Sequence, residues 1–309
     1  MRFSATISAT LLGVASLASS SPVLTTRGQV QKAFVFATFE GGDKGNTSLD
    51  IYTSDDGINF EQYAMAAYKS ASGEVRDPSI IWLHDKYWVT FTNGQRDGFG
   101  LISSTDLKNW DEVATVSVSS AVDAEKTWAP EFFQDGTDTH IIVSVLEQPK
   151  STNNANPRLT QFTSTHFAAW IMTATNDDLT QWTTPELLDV DNNSQGKQQD
   201  HIDFFALKDG DTYHGWQKND AGGEKHIEHL TSSSAKGPWK YVQTNNALGF
   251  GQAEGPAVTK LQNGTWIMWL DNFHGDYYYS LSSDLSTWSG KTEMPSWNKI
   301  FRHGTVIAQ

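Results

Sequence analysis

Cysteine is absent from the 309-residue chain. Its absence excludes disulfides, a nucleophilic thiol and thiolate-bound metals, and a chain of this size has core enough to hold together without cross-links. Basic residues are few: 22 Lys and Arg stand against 36 Asp and Glu, for a net charge of −14. A phosphate-backbone partner calls for clustered Lys and Arg, so nucleic acid is excluded while a neutral polymer is compatible. Long apolar runs are missing as well. The short stretch Ile7 to Leu17 falls below the ~20 residues of a membrane-spanning helix, and no later segment has that character, so no membrane partner is expected. That stretch follows Arg2 and ends with Ser16-Leu17-Ala18, the layout of an export signal with small residues before its cleavage site. The sequence thus predicts a signal peptide over residues 1–20, a flexible lead-in over 21–31, one folded domain over 32–309, and a secreted, extracellular monomer. Three N-x-S/T triplets, at Asn46, Asn192 and Asn263, are acceptor sites for glycans on an exported chain.

Helical periodicity is nearly absent too, which leaves an all-β reading. Short β-rich runs dominate, such as Ala33 to Phe39, Tyr87 to Phe91 and Thr265 to Leu270, and Asp56-Gly57, Asp209-Gly210 and Asn263-Gly264 are hairpin signals between such runs. A repeat then emerges. Ser104-Thr-Asp106-Leu-Lys-Asn-Trp110 recurs as Asn176-Asp-Asp178-Leu-Thr-Gln-Trp182 and again as Ser283-Asp284-Leu-Ser-Thr-Trp288, with degenerate copies at Ser54 to Phe60 and Ser234 to Trp239. The closing aromatics lie roughly 50 to 70 residues apart, the size of a four-stranded propeller blade with its loops. Five closers predict a single five-bladed β-propeller.

The phase of the repeat predicts how the ring closes. Each central unit starts with an acidic strand-opening tag and ends with the aromatic closer; the tags are Arg76-Asp77-Pro-Ser-Ile, Trp128-Ala-Pro-Glu131-Phe, His201-Ile-Asp203-Phe-Phe and Ala253-Glu254-Gly-Pro-Ala-Val. The first closer has strands before it but no such tag, and the last tag, Arg302-His303-Gly-Thr-Val-Ile307, has no closer after it. The C-terminal strand is therefore expected to be the innermost strand of the blade begun by Ala33 to Phe60, so that the N- and C-terminal strands share one blade and leave no open edge.

Inner-strand starts converge on one mouth of a propeller's channel. Here they carry Asp77, Glu131, Asp203, Glu254 and the pair Arg302-His303. Four carboxylates around one funnel repel one another and raise each other's pKa, with Arg76, Arg302 and His303 offsetting part of the repulsion. Such a ring suits glycoside hydrolysis, which needs a protonated carboxyl to donate to the leaving oxygen and an ionised one as base or nucleophile. The competing reading is that each acid caps a strand start.

The series RDPSI, WAPEF, HIDFF, EGPAV, RHGTV, running in order from about Ala33 to Ile307, resembles glycoside hydrolase family 43. That resemblance implies a five-bladed propeller that cleaves arabinose-, xylose- or galactose-containing glycans with inversion. Residue by residue, it implies that Asp77 is the general base, Glu254 the general acid, and Asp203 the third carboxylate that tunes and orients the acid. A negative Asp203 beside Glu254 would keep Glu254 protonated near neutral pH. Two tags depart from the family's usual form: Phe204 follows Asp203 where the family often has proline, and Glu131 stands where it often has aspartate. The departures bear on substrate choice more than on the chemistry.

Trp128 is a candidate to stack on a sugar face, and Glu131, Lys218, Asp271, Arg302 and His303 are candidates to bind sugar hydroxyls. Trp82, Trp88, Trp266 and Trp269 read as blade packing, and the His226/His229 pair with Glu228 between reads as surface. No cofactor or metal is expected, because the six to eight oxygens that calcium wants cannot be assembled here, though His303 resembles a histidine that some family members place near a channel ion. The expected activity is that of a secreted exo-acting α-L-arabinofuranosidase on a polysaccharide or oligosaccharide, with long loops at 148–167 and 189–199 walling the site into a pocket. β-Galactofuranosidase, β-xylosidase and endo-arabinanase are the alternatives within the family. A fructan-cleaving propeller would open with an Asp-Pro-Asn segment, which the chain lacks, and an inactive sugar-binding propeller would have lost one of Asp77, Asp203 and Glu254.

Overall fold

The strand Phe34–Phe39 is buried along its whole length, and so are Leu49–Ser54, Gly98–Ser104 and Trp266–Asp271. A strand of a one-sided sheet would alternate between buried and exposed. Burial on both faces means that each of these sheets is covered on both sides, as in a ring of sheets packed face to face. The computed structural model describes residues 31–40, 47–148, 166–191, 200–223, 225–243, 246–297 and 299–309; the expected export signal, Asn46, Asn192 and most of the two long loops lie outside them. Among the described residues there are twenty strands and no α-helix.

The strands form five four-stranded antiparallel sheets. The first blade pairs β20 (Thr305–Ala308) with β1 (Phe34–Phe39), then β2 (Leu49–Ser54) and β3 (Phe60–Tyr68). The second runs β4 (Arg76–Leu83), β5 (Lys86–Thr92), β6 (Gly98–Ser104), β7 (Asp111–Ser117), and the third β8 (Ala124–Asp135), β9 (Asp138–Glu147), β10 (Phe167–Thr173), β11 (Glu186–Leu187). The fourth contains β12 (His201–Asp209), β13 (Thr212–Asn219), β14 (His226–Ser232) and β15 (Lys240–Gln243), and the fifth β16 (Glu254–Lys260), β17 (Trp266–Asp271), β18 (Tyr277–Ser282) and β19 (Thr292–Glu293). The inner strands β20, β4, β8, β12 and β16 touch in that order, and β16 touches β20 again, so the ring closes. Its clasp is the predicted one: Ala37 pairs with Thr305 and Phe34 with Ala308.

Four apolar clusters hold the ring, each bridging neighbouring blades. Val35 and Ile51 meet Ile80 and Val89; Phe99 meets Phe132; Phe133 meets Phe204 and Trp239; and Phe36 and Tyr52 meet Trp269 and Tyr277. Trp269 of the fifth blade is fully buried and donates Nε1–H to the Gly57 carbonyl of the first. Trp88 and Trp266 are buried as expected, whereas Trp82 is half-buried against Tyr87.

The repeated closers occupy a different place from the one their sequence suggested. Each is the turn from the third to the fourth strand of its blade, so a strand follows it rather than a new unit. The turn chemistry explains the repeat. Ser104 Oγ accepts the N–H groups of Asp106 and Leu107, and Asp106 Oδ1 accepts those of Lys108 and Asn109. Ser282 and Asp284 repeat the pattern. These bonds hold Leu107 and Leu285 at φ 63° each while burying their side chains, a conformation a leucine adopts only when the surroundings enforce it.

Candidate active site

Four of the five inner strands begin with the same irregularity. In β4, Arg76 faces Thr92 and Ser79 faces Thr90, so Asp77 and Pro78 together oppose one residue. Equivalent bulges hold Ala129-Pro130 in β8, Asp203-Phe204 in β12 and Gly255-Pro256 in β16. The first bulged residue is left-handed each time, with φ 49°, 47°, 57° and 58°, and the second needs no ladder N–H, which is why proline is accepted there. An extra residue bends the strand and re-aims its side chain. Non-glycine residues in this conformation store strain, and such strain gathers at functional sites.

The register corrects the expectation that the four acids are equivalent. Asp77 and Asp203 sit at the first bulged position, Glu254 stands one residue before it, and Glu131 follows the bulge. Glu131 therefore lies beneath the mouth: buried, it accepts hydrogen bonds from Ser79 Oγ at 2.8 Å and Thr305 Oγ1 at 3.0 Å, the residues at corresponding positions of β4 and β20. Burial pushes its carboxyl up to about 7. Asp271 is likewise buried, accepting the N–H groups of Phe273 and His303, and burial followed by the charge of Glu254 pushes it up to about 6. Arg302 lies 3.9 Å from Asp271 and donates to the Phe301 carbonyl. None of these three is among the residues that line the cavity: Glu131 and Asp271 are buried behind it, and Arg302 stands beside Asp271.

The cavity itself measures about 480 Å³ and is lined by Asp77, Asp203, Glu254, Lys218, His303 and Trp128, together with Glu74, Arg76, Thr92, Lys126 and Asp220. The side chains of Glu254 and Asp77 are 20% and 17% exposed, that of Asp203 only 5%. Glu254 and Asp77 are thus the more open of the three acids, and Asp203 is nearly covered. Asp77 accepts a hydrogen bond from Thr92 Oγ1 at 2.9 Å, and the same hydroxyl oxygen accepts the Ala129 N–H. His303 Nδ1 stands 3.5 Å from Asp77 and 3.8 Å from Asp203. Burial works against a charged imidazole, but Asp203, Asp77, Glu254 and Glu131 outweigh it and raise the His303 pKa.

Lys218 occupies the β13 position that corresponds to Asp271 in β17, since they face Ile202 and Glu254 across their ladders. Its Nζ lies 2.6 Å from Glu254 and 2.9 Å from Asp220. Burial raises the Glu254 pKa; Lys218 opposes that and Asp203 adds to it, and the net direction is upward. Burial is thus the larger cause and the neighbouring Asp203 the smaller. Asp203 is raised by its own burial too, against the pull of His303 and Lys218, while its Oδ2 accepts the Gly255 N–H. Trp128 is 36% exposed and stacks on Phe167 at 4.7 Å, with Lys126 Nζ 4.9 Å from its ring. Sequence reasoning named neither Thr92 nor Asp220 nor Lys126. Only the register, which sets Thr92 opposite Arg76 and Asp220 two positions beyond Ile202's partner, brings Thr92 and Asp220 to the mouth.

The surface position expected of His226, Glu228 and His229 is also corrected for two of the three, while His226 is half-buried. His229 and Glu228 are buried, because β14 is covered on both faces; His229 stacks on Trp216 at 5.1 Å, and Glu228 pairs with His201 at 2.9 Å.

The family described as "Probable glycosyl hydrolase domain", a relative of glycosyl hydrolase family 43, matches residues 30–309. No curated protein matches the chain in sequence. Similar solved structures include an endo-1,4-beta-xylanase from Bacteroides thetaiotaomicron, 15% identical over 86% of this chain and 92% of that one, with a TM-score of 0.58. A thermostable family-43 glycoside hydrolase is 12% identical over 86% and 96%, also at 0.58. A Cellvibrio cellulosa alpha-L-arabinanase, solved with arabinohexaose, is 15% identical over 82% and 89%, at 0.55. At these identities the likeness is one of fold. The chain belongs to the glycosyl hydrolase 43-related family.

Proposed function

We propose that this glycosyl hydrolase removes terminal furanose or pentose residues from polysaccharides with inversion, that α-L-arabinofuranosides are its preferred substrates, and that it works outside the cell. The observation behind the chemistry is the unequal treatment of two carboxyls on one cavity. Glu254, with its pKa raised, keeps a proton for the leaving oxygen. Asp77, oriented by Thr92 and facing His303, takes a proton from water. As the glycosidic C–O bond breaks, Glu254 protonates the departing oxygen, and water attacks the anomeric carbon from the opposite face while its proton passes to Asp77. The step leaves Glu254 ionised and Asp77 protonated, and exchange with solvent resets both. Inversion calls for the two carboxyls to stand about 6.5–9.5 Å apart, with room for that water. Asp203, the least exposed of the three acids on the cavity, steadies Glu254 by accepting the N–H of the next residue, Gly255.

The test is release of p-nitrophenol from the α-L-arabinofuranoside, β-galactofuranoside and β-xyloside, beside hydrolysis of an arabino-oligosaccharide, by wild type and Glu254→Ala. An aryl leaving group needs less acid assistance, so the variant is expected to keep part of its aryl activity and lose the oligosaccharide. Turnover of only the galactofuranoside or xyloside would reassign the sugar. No turnover of any of them would sink the exo-acting reading.

A further inference from the structure

Lys218 is the one cation that touches Glu254 among the described residues, and its place depends on groups behind it. The residues on either side of it in β13, Gln217 and Asn219, point to the opposite face of the strand, as alternation requires. Both reach Glu228 of β14: Gln217 Nε2 donates to Oε2 at 3.2 Å and Asn219 Nδ2 to Oε1 at 3.0 Å. His201 Nε2 lies 2.9 Å from Glu228 Oε2, and His201 begins β12, two residues before Asp203 and directly opposite Asn219. Gln217 also donates to Tyr241 Oη of β15 at 2.8 Å. Asn219 Oδ1 accepts the Ala221 N–H, which fixes the turn bearing Asp220, the second partner of Lys218. Glu228, only 3% exposed, thus ties three strands together at the level of the cavity. A buried carboxylate is costly, and an apolar network of like volume in place of Glu228 and its partners would often serve stability as well.

We propose that Glu228 is a positioning residue that clamps both neighbours of Lys218 and so holds the Lys218 ammonium on Glu254. The inference rests on the reading of Glu254 as the general acid. Besides Lys218, the charged groups around Glu254 are Asp203 of β12, Asp271 of β17, Asp220 after β13 and His303 ahead of β20; Glu228 is faced by His201 and, at 3.8 Å, by His226. An ammonium close by favours the ionised carboxylate, so releasing Lys218 raises the proton affinity of Glu254. The simple loss of a negative charge at position 228 would act in the opposite sense. The direction of the shift therefore separates positioning from a through-space field.

The experiment is the pH profile of kcat/KM for Glu228→Ala and Glu228→Gln, with folding checked by circular dichroism and melting. The alkaline limb, where the acid loses its proton, is expected to move up by about one pH unit in the alanine variant. Glutamine, which keeps an acceptor for Gln217 and Asn219, should give a smaller move and reads the effect if alanine does not fold. Lys218→Met should shift the limb the same way, and adding Glu228→Ala to it should shift it no further. A folded alanine variant with the wild-type limb, a downward move, or a shift additive to that of Lys218→Met would overturn the proposal. A carbon-13 titration of Glu254, assigned by its loss in Glu254→Gln, reads the same displacement without turnover. Inactivity on every glycoside would then sink the proposed function while leaving this test intact.

Discussion

Gly210 and Gly264, in the hairpins that leave two inner strands, and Gly255, in the bulge that begins one, share a left-handed backbone with φ of 60°, 86° and 58°. Their surroundings differ completely. A β-carbon on Gly210 or Gly264 would meet nothing within 4 Å, whereas one on Gly255 would overlap the His303 ring. At the far end of the blades the backbone conformation is a local matter, set by the turn alone. At the mouth it is a tertiary matter: three of the four bulges hold non-glycine residues, Asp77, Ala129 and Asp203, in the same conformation, and the fourth uses glycine because histidine fills the space. One end closes hairpins; the other aims carboxylates.

Substitutions at the two ends should break this comparison in graded steps. The largest effect belongs to Asp77→Asn. Loss of the base should lower kcat by about 10²–10⁴-fold, equally on aryl glycosides and oligosaccharides, and a variant that spared the aryl substrates would remove Asp77 from the base's role. Next comes Glu131→Gln beneath the mouth. Its carboxyl is raised by burial from the ordinary 4.5 to about 7, so its contribution favours the folded state below pH 4.5 and is lost as pH rises toward 7, at a cost of about 3 kcal/mol above that. Glutamine does not ionise; the stability of Glu131→Gln relative to wild type should therefore grow between pH 5 and 8 in urea melts, and a flat difference would contradict the burial argument.

Gly255→Ala should displace His303 and the adjoining Glu254, lowering kcat/KM on the order of 100-fold. An unchanged rate would show that the His303 packing is slack. Gly210→Ala, at the other end, should cost about 1 kcal/mol of stability from the left-handed conformation and leave kcat/KM as in wild type. Equal losses of activity at Gly210 and Gly255 would erase the distinction between the two ends.

The repeat, the blade number and the clasp were legible in the sequence because each arises from short-range chemistry. Ser104 and Asp106 bond to N–H groups two and three residues on, so the motif that makes the turn is written contiguously. Runs such as Phe34–Phe39 show burial on both faces in their composition alone. Asp77, Asp203 and Glu254 were legible as a set through the tags around them. Glu131 was misplaced because a tag does not reveal on which side of a bulge its acid falls, and two residues decide between the mouth and the floor. Glu228 and His229 passed for surface because charge and imidazole in a strand suggest a wet face, and only the neighbouring blades make that face dry.

The sequence by itself determined the strands, their turns, the fivefold repeat and the identity of the acids, since these depend on residues near one another along the chain. The tertiary structure alone decided which acids reach the cavity, which cation Glu254 touches and that burial raises its pKa. Those properties depend on register between strands and on water excluded by neighbouring blades, and both exist only once the ring has closed.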